Sequence, residues 1–241
     1  MQNVENMDIA GVVKTSLCDY PGKVASVIFT SGCNFNCPYC HNHQLINHNK
    51  QNIINEKQIF SLLKKRKKHI KHVVISGGEP CINKDIVTFA QTIKGMGFNI
   101  KLDTNGSFPN VLKELIDNHL LDYVAMDIKA PITNRNTLSE ITGITQNIDT
   151  LINNLNSSIN ILKNSSVNYE FRTTLIKEIH SHSDIVKMSL YGQNTYKLQQ
   201  YNNQNVNDYK YAKYSAYSEN EINTICKEIH NVFPLLNIKH Q

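Results

Sequence analysis

The sequence predicts an α/β protein, an incomplete (β/α)6 TIM-like barrel, and three observations carry that prediction. Short β-branched runs alternate with longer helical patterns, which implies βαβ units, a parallel sheet and right-handed crossovers. Polar motifs begin just past the first four strands, at Cys33, Gly77, Asp103 and Asp127. In (β/α) barrels the C-terminal ends of the strands carry the active site, so four motifs on one rim would converge, whereas a switch-point crevice in an open sheet would gather two. Length fits as well: 241 residues suit one undivided domain, since α/β barrels often run about 200–250 residues.

Residues 1–22 read as a lead-in ending in the turn Tyr20-Pro21-Gly22. Strand one (24–30, VASVIFT) is a buried β-branched run, followed by a cysteine-rich loop and a helix over 54–69 with Asn55 as its N-cap. Strand two (72–76, HVVIS) ends in Gly77-Gly78-Glu79-Pro80, and a helix over 84–96 stops at Gly97. Strand three (99–102) ends in Asp103-Thr104-Asn105-Gly106, and Pro109 opens a helix to 119. Strand four (121–128, LDYVAMDI) leads to Lys129, and 131–147 is polar and irregular. A helix over 148–162, strand five (167–174), a short helix (183–191) and strand six (195–200) follow. Residues 201–241 supply an Asn-rich loop and a last helix over 218–233. There is no linker; the βα alternation is itself the repeat.

Composition excludes several classes. Forty per cent hydrophobic and 19% charged residues describe an ordinary soluble protein. No stretch approaches the 18 or so apolar residues of a membrane span, and Glu5 and Asp8 interrupt any secretory signal. The basic run Lys64-Lys65-Arg66-Lys67-Lys68 lies in a helical pattern and has no interleaved aromatic residue, so it reads as a solvated face or an acidic partner's dock, not a nucleic-acid surface. Six cysteines in a chain of this length point to reduced cytoplasm rather than a disulfide framework. Cys18, Cys81 and Cys226 are scattered and read as ordinary thiols.

Cys33, Cys37 and Cys40, at C-x3-C-x2-C spacing, can converge on one metal centre. Iron–sulfur clusters usually take four cysteines, so either a distant residue completes the set or one iron stays open for chemistry. A Cys3His zinc site with His41 or His43 is the plain alternative. Tyr39 could stack on a planar ligand. Gly77 and Gly78 allow close backbone approach, and Glu79 could hold an ammonium group. Asp103 and Thr104 offer groups for hydroxyls, though Asn105-Gly106 is also a common turn pair. Asp127 and Lys129 share a strand face, as a structural ion pair would. Arg172 needs a charge partner if it points inward.

Together these residues suit an amphoteric, ribose-bearing ligand beside a cluster, and the chain resembles the radical SAM superfamily, whose signature C-x3-C-x-aromatic-C it contains. The resemblance implies a [4Fe–4S] cluster on Cys33, Cys37 and Cys40, with the amino and carboxylate groups of S-adenosylmethionine on the open iron. One electron then cleaves the sulfonium to methionine and a 5′-deoxyadenosyl radical. It further implies Tyr39 near the adenine, Gly77, Gly78 and Glu79 at the methionine amino group, and Asp103 at the ribose or a cation. Thr104 and Asp127 would serve a monovalent cation, and Lys129 and Arg172 the methionyl carboxylate.

Within the superfamily the stretches 14–42, 73–80, 101–107, 122–131, 169–174 and 198–200 are most similar to glycyl-radical-enzyme activases, above all the activating protein of anaerobic ribonucleoside-triphosphate reductase. That implies this reductase as partner and flavodoxin or ferredoxin as electron donor. Pyruvate formate-lyase activation is a rival reading. So is 7-carboxy-7-deazaguanine synthase, whose last cysteine is usually followed by Asp-Thr where this chain has His41-Asn42. Leu175-Ile176-Lys177-Glu178 replaces the activases' Val-Pro-Gly, which leaves the fifth unit's contacts open. A zinc-stabilised binding module is the non-enzymatic reading.

Overall fold

The computed structural model describes residues 7–47, 53–193 and 195–240. Eight strands form one sheet in the order in which the chain makes them. β1 (Ile9–Tyr20) and β2 (Lys23–Thr30) are an antiparallel hairpin closed at Tyr20 and Lys23, where Gly22 takes φ 65°. From β2 onward every pairing is parallel: β3 (His72–Gly77), β4 (Asn99–Thr104), β5 (Tyr123–Asp127), β6 (Asn168–Leu175), β7 (Thr195–Gln200) and β8 (Asn237–His240). The unreversed order makes each crossover step the same way, so the helices collect on one side and the sheet curls around the other. No pairing joins β8 to β1 among the described residues, so the barrel stays open there.

The helices are α1 (Glu56–Arg66), α2 (Ile86–Gly95), α3 (Pro109–Asp117), α4 (Arg135–Thr142), α5 (Ile148–Lys163), α6 (His182–Ser189) and α7 (Glu219–Val232). Their starts follow local chemistry. Asn55 accepts from Lys57 N at α1, Pro109 opens α3, and Ser181 and Ser218 form capping boxes with Asp184 and Glu221.

Period-two alternation divides the strands between two environments. Val73, Ile75, Ile100, Leu102, Val124, Met126 and Phe171 join the helices' apolar stripes in the main core. Val74 instead joins Tyr20, Ala25 and Val27 in a small separate cluster. The intervening residues Lys101, Asp103, Asp127, Glu170 and Arg172 therefore face the barrel interior. Each large apolar side chain so buried contributes about 1.5–3 kcal/mol, enough to hold charged neighbours on the opposite face.

Three elements differ from the sequence reading. The lead-in is mostly β1, α4 lies inside the stretch read as irregular, and β8 adds a seventh parallel strand. β1 escapes a hydrophobic-run reading because Lys14, Thr15 and Leu17 are exposed on an edge strand. α4 buries only Leu138, Ile141 and Thr142, and β8 has four residues and no buried one.

Candidate active site

The loop after β2 is pinned at both ends. Gly32 N–H donates to Leu45 O (2.7 Å), Cys33 N–H to Ile46 O (3.1 Å) and Cys40 N–H to Cys37 O (3.1 Å). The three cysteines open on one cavity of about 260 Å³ at the C-terminal ends of the strands, whose far wall includes Asp103, Asp127, Lys129 and Arg172. Burial pushes the Cys33 thiol up to about 11 and the Cys37 thiol up to about 12, and raises Cys40 as well. Thiolates there therefore depend on the charge of a bound metal group.

Paired glycines are demanded by the chain itself. A Cβ on Gly77, at φ +125°, would lie 2.3 Å from Thr30 N, and one on Gly78 would lie 2.1 Å from Gly32 O. Their backbones line the cavity beside Cys33. Glu79 stands behind that wall, fully buried. Its Oε1 accepts from Cys81 N (3.0 Å) and Thr104 Oγ1 (2.8 Å), and its Oε2 from Asn105 N (2.6 Å). Burial raises its pKa while those three donors counter it. The carboxylate thus ties the end of β3 to the end of β4, and Thr104's hydroxyl also accepts from Gly106 N (3.1 Å).

The remaining predicted residues form one chain of opposite charges across β4, β5 and β6. Lys101 Nζ pairs with Asp103, Arg172 Nη1 lies 3.4 Å from Asp103, and Arg172 Nη2 lies 2.9 Å from Asp127. Lys129 Nζ donates to Asp127 Oδ2 at 3.1 Å and to Tyr39 OH at 3.3 Å. Burial opposes ionisation of both aspartates, but Arg172, with Lys101 beside Asp103 and Lys129 beside Asp127, outweighs it: both carboxyls are lowered, Asp127 to about 2. Lys129 loses to burial but gains more from Asp127, and its pKa is raised.

Several supporting residues were not singled out by sequence reasoning. Asn34 donates to Ser107 Oγ (2.9 Å) and accepts from Asn105 Nδ2 (3.0 Å). Gly143, the left-handed cap of α4, lets Thr142 O accept from Asn36 N (2.9 Å). The Asn-rich loop straps the cysteine loop from outside. Asp208 N–H donates to Pro38 O (2.8 Å), Asn207 Nδ2 donates to Asn36 Oδ1 (2.8 Å), and His41 Nε2 lies 2.7 Å from Asn202 O. Only the density of Asn in 201–217 hinted at this. The basic run 64–68 closes α1 just before β3 begins, at the other end of the strands from the cysteines.

The thiol set fits a polynuclear cluster better than one ion. Among the described residues no three His, Cys, Asp or Glu side chains close on a single metal position. A four-iron cluster does not impose that condition, because each thiolate can take its own iron.

Residues 27–169, from the first parallel strand to the fifth, match the model of the radical SAM superfamily, and the chain belongs to that family. It is thus an enzyme of the class that uses a [4Fe–4S] cluster and S-adenosylmethionine. A Methanocaldococcus jannaschii protein named as a glycyl-radical enzyme activating enzyme is 33% identical over 222 residues, covering 91% of this chain and 90% of that one. Among solved structures, Streptococcus suis SuiB bound to S-adenosylmethionine superposes with TM-score 0.68 at 15% identity, over 89% of this chain and 49% of SuiB. QueE from Escherichia coli superposes with TM-score 0.56 at 13% identity, over 98% and 94%. No helix among the described residues is long and apolar enough to cross a membrane.

Proposed function

We propose that the protein is a glycyl-radical-enzyme activase whose partner is anaerobic ribonucleoside-triphosphate reductase, acting as one domain in the cytoplasm. The observation that carries the site is the single cavity shared by Cys33, Cys37 and Cys40, the Gly77–Gly78 backbone and the Asp103–Arg172–Asp127–Lys129 chain. The choice of a protein glycine as target rests on the 33% identity to a protein named as an activase. When bound and reduced by flavodoxin or ferredoxin, the cluster supplies the electron that cleaves S-adenosylmethionine.

Cys33, Cys37 and Cys40 hold the cluster. The Gly77–Gly78 backbone receives the methionine amino group, with Glu79 bracing that turn from behind. An ammonium has three N–H donors; Lys129 gives two to Asp127 and Tyr39, and we assign the third to the methionyl carboxylate, with Arg172 beside it. Tyr39 flanks the adenine, Asp103 the ribose, and Thr104 and Asp127 a monovalent cation. A second cavity of about 290 Å³, lined by Asp19, Lys101, Glu170 and Lys197, meets the first at Arg172. Its mixed charge and its place beside β1 and β7 suit entry of a partner's polar glycine loop.

The test is anaerobic reconstitution with iron and sulfide, followed by S-adenosylmethionine, a reductant and the reductase, with EPR detection of a glycyl radical. A doublet on the reductase supports the proposal. Cleavage of S-adenosylmethionine without that doublet overturns the partner, and a doublet on pyruvate formate-lyase alone would reassign it.

A further inference from the structure

Two residues after Leu175-Ile176-Lys177-Glu178 stands a buried histidine that the proposed chemistry does not use. His180 is fully buried between β6 and α6, and burial lowers its pKa. Nδ1 faces Ile176 N at 3.2 Å, and Nε2 faces Lys129 O at 2.8 Å. A backbone N–H can only donate and a carbonyl can only accept, so the two neighbours select one tautomer: Nδ1 accepts and Nε2–H donates. The histidine is held in turn, since Tyr217 OH donates to His180 O.

Lys129 follows β5, where the chain leaves the sheet. Its neighbour Ile128 is tied back to β6, donating to Arg172 O (2.7 Å) and accepting from Thr173 Oγ1 (2.6 Å). At Lys129 itself the carbonyl is held by His180 while the ammonium reaches Asp127 and Tyr39 OH. Tyr39 immediately precedes Cys40. A continuous path of contacts therefore runs from the segment after β6, through one imidazole and one lysine, to the cysteine loop.

We infer that His180 is a positioning residue that fixes the Lys129 backbone so that its ammonium is aimed at the bound substrate's carboxylate and at Tyr39. This rests on the reading of Lys129 as a contact of S-adenosylmethionine. A group held by an oriented hydrogen bond keeps its aim; around metal ligands, losing such outer contacts typically costs about tenfold or more, and the same scale is taken for the lysine here.

The test uses two isosteres in the reconstituted holoenzyme, with S-adenosylmethionine affinity and melting temperature measured side by side. In His180→Asn the amide oxygen can still accept from Ile176 N, but nothing reaches Lys129 O. In His180→Gln the amide N–H can replace Nε2–H. His180→Asn is expected to weaken binding about tenfold and His180→Gln to restore it to within about threefold. Equal losses in both variants, or losses that merely follow melting temperature, overturn the inference.

Lys129→Met separates the underlying reading. If it binds normally, Lys129 is not a contact and the inference falls with it. If it binds weakly, adding His180→Asn must cost nothing further, and an additive loss overturns the coupling. A measurement that needs no variant is nitrogen NMR of the wild-type holoenzyme with labelled histidine. A protonated Nδ1 on His180 would overturn the proposal even if His180→Asn failed to fold.

Discussion

Arg172 and Asp127 are register partners on adjacent parallel strands, and the guanidinium meets one carboxylate oxygen with both Nε (3.0 Å) and Nη2 (2.9 Å). The same guanidinium reaches Asp103. Removing it leaves two carboxylates in the barrel with only the lysines at its margins. Breaking such a pair costs far more than the pair contributes over an apolar substitute, because an uncompensated charge remains. Arg172→Met is expected to lower stability by about 3 kcal/mol at pH 7, read from urea denaturation of the cluster-free protein. A loss below about 0.5 kcal/mol, the range of ordinary surface sites, would contradict the description.

The pH dependence follows from the carboxyls. Asp127 falls from 3.8 to about 2 in the folded protein, and Asp103 is lowered too. Their contribution is fully present above the unfolded value and is lost as pH falls through the folded one. Stability should therefore drop between about pH 4 and pH 2. Glu79 works the other way: its raised pKa is a cost at neutral pH that is relieved on acidification. That relief lies above the unfolded value of 4.5, on the neutral side of the aspartate limb, so Glu79→Gln should lose the gain in stability that the wild type shows as pH falls toward about 4.5 in urea titrations at stepped pH. An unchanged profile in that window would mean that Glu79 is not a buried carboxylate.

The strand-end residues were legible because a parallel sheet with right-handed crossovers leaves little choice about which ends meet. Motifs that interrupt the apolar runs at Gly77, Asp103 and Asp127 mark those ends directly. The orientation of Glu79 was not legible on the same evidence, since whether a carboxylate faces a cavity or turns back to Asn105 N depends on the neighbouring strand. The strap by Asn202, Asn207 and Asp208 was illegible for a related reason. Its bonds reach back about 160–170 residues, and asparagine carries no periodic signal that says which partner it will find.

Gly78 is a direct test of the close approach. A methyl group 2.1 Å from Gly32 O forces the β3 exit away from the cysteine loop. Gly78→Ala is expected to lose about 2 kcal/mol as overpacked sites do, and to retain less iron after reconstitution. Gly95→Ala, which meets nothing within 4 Å at the end of α2, should be neutral or gain about 0.5–1 kcal/mol. Equal behaviour of the two variants would dispose of the steric account.

Iron content separates the cysteines. Cys33→Ala, Cys37→Ala and Cys40→Ala should each yield protein without the brown absorption near 400 nm. Cys18 is exposed, Cys226 half-buried on α7, and Cys81 is enclosed with Glu79 and Thr104. Serine at any of these three should leave iron per chain unchanged. A fall at any one of them would break the three-ligand account.

The strap makes a prediction about rate rather than equilibrium. Asn207 Nδ2 reaches Asn36 Oδ1 and, at 3.4 Å, Cys37 O, so one side chain holds the loop between the first two cysteines from outside. Asn207 is exposed, and losing such bonds should cost about 1 kcal/mol of global stability or less. The loop, however, opens by local fluctuation, and the opening free energy of a surface segment is small enough for a lost bond to change it severalfold. Asn207→Ala should release iron to a chelator about threefold faster at an unchanged melting temperature, whereas Asn203→Ala, which bonds within its own loop to Ala212 O (3.1 Å), should not. Equal release rates in the two variants would place the strap outside the control of the cysteine loop.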